Sequence, residues 1–175
     1  MSSNIPTFDE LLDSAGQSAV HLEMRDVYAV AYESDVLRRW KATGDRDLDP
    51  GSAHWAPWVN LIRRTVDRGV VVRRARIVSE PVTDYIRYEH SGTEVNVGAG
   101  EQVRWLPRRR ASDIALPGND FWLIDGRLVR WNHFTGDGAS GGGEMSDDPA
   151  VAKLCAQAFE AVWERAVPHA EYEVG

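Results

Sequence analysis

Five histidines, His21, His54, His90, His133 and His169, a single cysteine, Cys155, and two glycine-rich stretches could carry metal, nucleophilic or phosphate chemistry by residue type. Their spacing argues against each. The histidines are dispersed and form no His-Glu-x-x-His or paired-cysteine grouping, so no zinc site, and no cofactor, is expected. Asp137, Glu144, Asp147 and Asp148 miss the spacing of an EF-hand loop and read as solvated loop acids. Gly98-Ala99-Gly100 lacks the Gly-Lys-Ser/Thr ending of a Walker loop, and Gly141-Gly142-Gly143 has no lysine beside it. Cys155 falls mid-helix among apolar neighbours, where a thiolate is disfavoured, and no serine sits in a Gly-x-Ser-x-Gly elbow. No catalytic residue is assigned.

What remains is anion chemistry. Arginine supplies 18 of the 20 basic residues, and its planar fork suits phosphate and carboxylate. Between Arg63 and Arg110 lie 11 of the basic residues but only 6 of the 27 acidic ones, a local excess of +5 in a chain of net charge -7. A GC-rich genome is the plain cause; an anion-facing surface is the functional one. The acidic total argues against nucleic acid as a partner, although Arg108-Arg109-Arg110 would serve it with salt-dependent affinity.

At 175 residues the chain fits one domain, and 43% hydrophobic with 27% charged residues suits a soluble globular protein. No apolar run approaches the roughly 20 residues that span a bilayer. The start, Met1-Ser2-Ser3-Asn4-Ile5-Pro6, has neither the basic nor the apolar region of a secretory signal. Cys155 is then a small core residue in a reducing cytoplasm.

The elements that must position any site follow from periodicity. Residues 1–18 form an N-terminal arm or helix, and Leu22, Met24, Asp26, Tyr28 and Val30 alternate with His21, Glu23, Arg25 and Val27 as a strand. Ser34-Asp35 caps a helix through Trp40. Trp58, Leu61, Ile62, Thr65 and Val66 have helical spacing, stop at Gly69, and lead into a buried strand at Val70–Val78. Ser79, Glu80 and Pro81 start a short helix ending near Glu89, and Val103–Leu106 is a strand. Residues 136–146 read as a flexible glycine-rich loop and 147–167 as the C-terminal helix. Most of the seven tryptophans read as packing, although a wet cluster at Trp55 and Trp58 could bind a ligand.

The stretch Asn119–Trp131 is two apolar strands around an Asp125-Gly126 turn. With the helix-glycine-strand unit at Trp58–Val78 and the closing helix, it resembles the core of the phospholipase D-like phosphodiesterases. That family uses a His-x-Lys motif followed by an aspartate. Matching Asp125 to that aspartate puts Gly118 at the nucleophile position and Asp120 at the phosphate-holding lysine. A glycine cannot attack phosphorus, and an aspartate repels phosphate. A second motif is missing, and a homodimer would supply two only with the histidine present. The resemblance places Asp120, Asp125, Asn132 and His133 near the degenerate cleft, with Arg73, Arg74, Arg76 or Arg104 available for an anion.

A second resemblance covers nearly the whole chain. Glu23–Tyr28, Arg74–Pro81, Asp84-Tyr85, Gly100–Arg104 and Asp120-Phe121-Trp122 are similar to the actinobacterial family of unknown function DUF6879. It implies a small single-domain protein associated with helix-turn-helix regulators. The expectation is one α/β domain, a mixed β-sheet flanked by helices. Its leading function is a non-enzymatic regulatory or interaction protein beside a transcription regulator. The alternative is a small-anion binder or phosphodiester-active enzyme, with Arg74, Arg76, Arg104, Asp120 and His133 as ligand-binding residues.

Overall fold

The computed structural model describes residues 5–29 and 31–175. In chain order it contains α1 (Phe8–Asp13), β1 (Ser18–Glu23), α2 (Ala31–Thr43), α3 (Ala56–Asp67), β2 (Val71–Val78), α4 (Asp84–Ala99) and β3 (Gln102–Pro107). There follow β4 (Asp120–Ile124), β5 (Leu128–Phe134), β6 (Ser140–Ser146), α5 (Pro149–Arg165) and β7 (Val167–Pro168). The described strands form one mixed sheet in the order β6-β5-β4-β1-β2-β3-β7. The β1–β2 and β2–β3 pairs are parallel, and the other pairs are antiparallel. The chain is therefore a single α/β domain.

Period-two alternation sorts the strand residues between two layers. Val20, Leu22, Ala75, Ile77, Leu106, Phe121 and Leu123 face α5, where Cys155, Phe159 and Val162 close the largest core. Burial there raises the Cys155 thiol to about 11. Ala19, Val72, Trp122 and Ile124 face the other way, against α1 and α3. Farther along that face, Val78, Val103 and Trp105 meet Tyr85 and Ile86 of α4.

Several elements differ from the sequence expectation. The first strand ends at Glu23, because residues 24–29 are held by side-chain anchors: Asp26 accepts from the Ser79 N–H at 2.7 Å, and Tyr28 donates to Asp120. Val30, counted in that strand, and Met1–Asn4 lie outside the described residues. Helix α2 starts at Ala31, so Ser34 stands inside it and not at its cap; the side chain of Ser34 is outside the described set. Ser79 does not cap α4, since Asp26 occupies it; Thr83 caps instead, accepting from the Ile86 N–H. That helix runs past Glu89 to Ala99 and stops at left-handed Gly100 (φ 112°). Within 136–146, expected as a flexible loop, Ser140–Ser146 is strand β6. A Cβ at Gly143 would stand 3.0 Å from the Trp131 carbonyl oxygen, so glycine here permits close backbone approach.

The hairpin turn also fastens the start of the sheet. Asp125 (φ 51°) and Gly126 (φ 67°) both adopt the left-handed conformation of a tight hairpin. The Asp125 carboxylate accepts from the backbone N–H groups of Gly16 at 3.0 Å, Gln17 at 2.7 Å and Ser18 at 2.9 Å. Asp125→Ala leaves three donors without this acceptor and should destabilise by about 2–4 kcal/mol in urea unfolding. A loss below about 0.5 kcal/mol, the range of ordinary surface substitutions, would show that the anchor is immaterial.

Candidate functional site: an aromatic cavity over a buried ion network

Parallel pairing of β1 with β2 sets His21 beside Arg74 and Glu23 beside Arg76. All four point toward the α3/α4 layer, so a polar band crosses the middle of that sheet face. Arg74 reaches Glu23 at 2.7 Å and Glu101 at 2.5 Å, and Arg76 reaches Glu23 at 2.8 Å and Glu89 at 3.1 Å. The 2.8 Å pair is a charge contact without hydrogen-bond alignment, since the Arg76 Nε has no hydrogen-bond partner. Glu101 also accepts from Asn96 at 3.0 Å and Trp58 at 3.3 Å. Arg74, Arg76 and Glu101 are 9%, 5% and 1% exposed. Burial opposes ionisation of Glu23, but Arg76 and Arg74 outweigh it and hold the carboxyl at about 2. Burial likewise opposes the charge on Arg74, and Glu101 and Glu23 overcome it, leaving the guanidinium above its ordinary value.

Above this band is a cavity of about 370 Å³, within the usual size range of ligand pockets. Phe8, Trp55, Trp58, Tyr88 and Trp122 supply aromatic walls, and His21, Arg74 and Arg76 line its polar side. Trp58 and Trp122 stand with centroids 6.1 Å apart, and His21 stacks on Trp122 at 4.3 Å and 17°. Burial drives the His21 imidazole down to about 3, with the neighbouring arginines adding to it and Glu23 opposing, so the ring is neutral near pH 7. Neither ring nitrogen of His21 has a hydrogen-bond partner, and neither does the Trp122 indole N–H, although both residues are buried. Arg46 enters from the loop after α2. Its guanidinium lies 3.6 Å from the Tyr88 ring centroid and 5.6 Å from that of Trp55.

A smaller cavity of about 230 Å³ shares His21, Arg74 and Glu89 and adds Glu23, Tyr28, Asp120 and Asn132. Asp120 accepts from the Met24 N–H at 2.9 Å and from the Tyr28 hydroxyl. Burial raises its carboxyl to about 6, with Glu23 adding to the effect and the Tyr28 hydrogen bond opposing it. Burial, Glu23 and Asp120 raise the Tyr28 phenol above its ordinary range.

Of the residues expected at or near the cleft, Arg74 lines both cavities, Arg76 the larger, and Asp120 and Asn132 the smaller. Arg74 has its fork occupied by carboxylates; Arg76 pairs with Glu23 and Glu89 but keeps a buried Nη1 with no hydrogen-bond partner. Arg104 points to the opposite face, donating to the Trp163 carbonyl at 3.0 Å, and Arg73 pairs there with Glu160 at 2.6 Å. His133 stands apart, 3.3 Å from Glu144. Asp125 is a turn residue. Arg108 is structural, donating to Ser79 at 3.0 Å and pairing with Asp26 at 3.6 Å. Trp55 and Trp58 do line the cavity. The residues that sequence reasoning missed are His21, Glu23, Arg46, Glu89, Glu101 and Trp122. One available signal was the recurrence of polar residues at alternate positions, His21 and Glu23, Arg74 and Arg76, within two otherwise apolar strands.

No helix among the described residues is long and apolar enough to cross a membrane, and no described group of three or more His, Cys, Asp or Glu could hold a metal ion. The profile of the family described as Domain of unknown function (DUF6879) matches residues 6–174, and the chain belongs to that family. No curated protein matches it. Among solved structures it is similar to TrmBL2, an archaeal chromatin protein described as showing a novel mode of DNA binding, with TM-score 0.48 and 13% identity. The match covers 91% of this chain and 48% of the other, so the chain spans about half that protein's length. The expectation that nucleic acid is an unlikely partner conflicts with this match to a protein described as binding DNA and is withdrawn.

Asp120 and His21 make stability depend on pH in opposite senses. Between about pH 6 and 4 the folded chain keeps the Asp120 proton that the unfolded chain has released, so this residue adds stability as pH falls. The unfolded His21 gains a proton below about 6.5, whereas the folded one resists until about 3, so stability is lost through that window on acidification. Asp120→Asn therefore steepens the loss of stability from pH 6 to pH 4 in urea unfolding. A flatter profile in the variant would contradict the assignment.

Proposed function

We propose that this chain is a regulatory protein that acts by binding a small planar ligand in the cavity over Arg74 and Arg76. The carrying observation is the pairing of aromatic walls with buried groups that have no hydrogen-bond partner within the described protein, the Trp122 indole N–H and the His21 Nε2, while the His21 Nδ1 lies 3.4 Å from a Glu23 carboxylate oxygen. A buried donor left unpaired costs about 1–3 kcal/mol, which a bound acceptor recovers. In this reading the ligand state is passed to a partner, a helix-turn-helix transcription regulator, as the family resemblance implies.

Binding is favoured over phosphodiester turnover by the residues near Asp120. Arg74 and Arg76 are held by Glu23, Glu89 and Glu101, and Asp120 shares its cavity with Glu23 and Glu89. We extend the reading to an actinobacterial, cytoplasmic setting, supported by the arginine-rich composition and the buried free thiol of Cys155. Remote likeness to half of a phospholipase D-like domain is supported by the β4–β5 hairpin beside β1.

Calorimetric titration with bicyclic aromatic probes, naphthalene-2-carboxylate and naphthalene-2-carboxamide, tests the reading. At least one probe should bind at one site per chain, and Trp58→Ala should weaken it at least about tenfold, the loss expected for a large aromatic contact. Absence of binding by both probes would contradict the proposal. Robust hydrolysis of bis(p-nitrophenyl) phosphate by the purified protein would contradict its non-catalytic part.

A further inference from the structure

The polar groups lining the cavity are unbalanced in a way that specifies a ligand. Its carboxylates are engaged: Glu89 by Arg76, and, just behind the wall, Glu23 and Glu101 by Arg74 and Arg76. Its unengaged groups include donors. His21 is 8% exposed and Trp122 is 1% exposed, and the imidazole nitrogens and the indole N–H have no hydrogen-bond partner. A neutral imidazole carries one donor and one acceptor.

Arg46 adds charge to this excess of donors. It makes no hydrogen bond or ion pair with the described residues, its Nε is buried without a partner, and it is positioned by the Tyr88 and Trp55 rings. The fold makes room for it through one missing side chain. A Cβ at Gly92, in the middle of α4, would stand 2.2 Å from the Arg46 Nη2. Gly92 therefore lets a guanidinium lie across the helix at the cavity wall, where α4 would gain intrinsic stability from alanine. A cation held over aromatic rings beside unpaired donors is suited to a carboxylate that it can meet with two parallel N–H groups.

We infer that the ligand is a flat aromatic acid, its ring system against Trp58 and Trp122 and its carboxylate on Arg46. This rests on the binding role proposed above and specifies its substrate class. The cavity volume admits a one- or two-ring molecule. The ring supplies the apolar contact, and an acceptor on its edge meets the Trp122 N–H or His21. A larger anion carrying several charges does not suit a lining where Glu89 accompanies the arginines.

Naphthalene-2-carboxylate and its neutral isostere naphthalene-2-carboxamide separate this inference from the reading beneath it. By calorimetry the carboxylate should bind the wild-type chain about tenfold or more tightly than the amide, the margin of a charge-assisted hydrogen bond. Arg46→Met should erase that preference while leaving amide binding in place. Gly92→Ala should erase it too, with an unchanged far-ultraviolet circular dichroism spectrum and no loss of thermal midpoint, which separates displacement of Arg46 from misfolding. Arg46→Lys should retain part of it. Equal affinities for the two probes in the wild type, or a preference that survives both Arg46→Met and Gly92→Ala, would overturn the aromatic-acid assignment and leave a planar-ligand site standing. Failure of both probes to bind would remove the binding role as well.

Discussion

Two guanidinium groups buried in the centre of a sheet face are the constraint on which this structure depends. Arg74 and Arg76 could not stay there unpaired, because removing a charge from water costs several kcal/mol even after relaxation. Their carboxylates come from three different places: the end of β1, the middle of α4 and the residue just before β3. The network thereby ties the sheet to the helix that crosses it. It also prevents the aromatic side chains above from collapsing onto an apolar floor. A buried ion network is weak evidence for stability as such. Here its visible consequence is geometry, a polar floor beneath Trp55, Trp58, Tyr88 and Trp122.

The two faces of the sheet solve the arginine problem differently. On the α5 side, Arg73 and Arg104 lay their apolar stems along the core and place their charged ends over Trp163, at 5.2 Å and 4.4 Å from its ring centroid. That face closes completely around Phe121, Phe159 and Val162. On the opposite face the apolar contacts divide into two clusters, one around α1 and α3 and another around α4, with the ion network between them. The cavity lies at this division. Its presence follows from strand residues that alternate correctly for a sheet yet carry charge where a buried row would ordinarily be apolar.

Much of this fold was legible in the sequence. Leu61, Ile62 and Thr65 repeat with helical spacing and Gly69 follows them, so α3 and its turn into β2 could be read directly. The Asp125-Gly126 turn between two apolar runs gave the hairpin. Strand β6 was hidden because Gly141, Gly142 and Gly143 have no side chains to show alternation, and their pairing is a backbone matter. The far half of α4 was masked by β-branched Thr93, Val95 and Val97, whose tertiary contacts override their weak helix preference. The candidate site was only partly visible. Trp55 and Trp58 stood out as an aromatic cluster, but the pairings that occupy Arg74 and Arg76 reach to Glu23, 51 positions before Arg74. The place of Arg46 depends on the absence of a side chain at Gly92, which no local pattern announces.

In the proposed reading the α3/α4 face binds the ligand, and the α5 face closes the largest core. The most direct test is to follow the seven tryptophan indole N–H resonances by nuclear magnetic resonance during titration with naphthalene-2-carboxylate. Trp122 and Trp58 should shift saturably with a common midpoint, while Trp131 and Trp163, which pack on the α5 face, stay in place. Shifts confined to Trp131 and Trp163, or a still Trp122 resonance at saturating probe, would contradict the account.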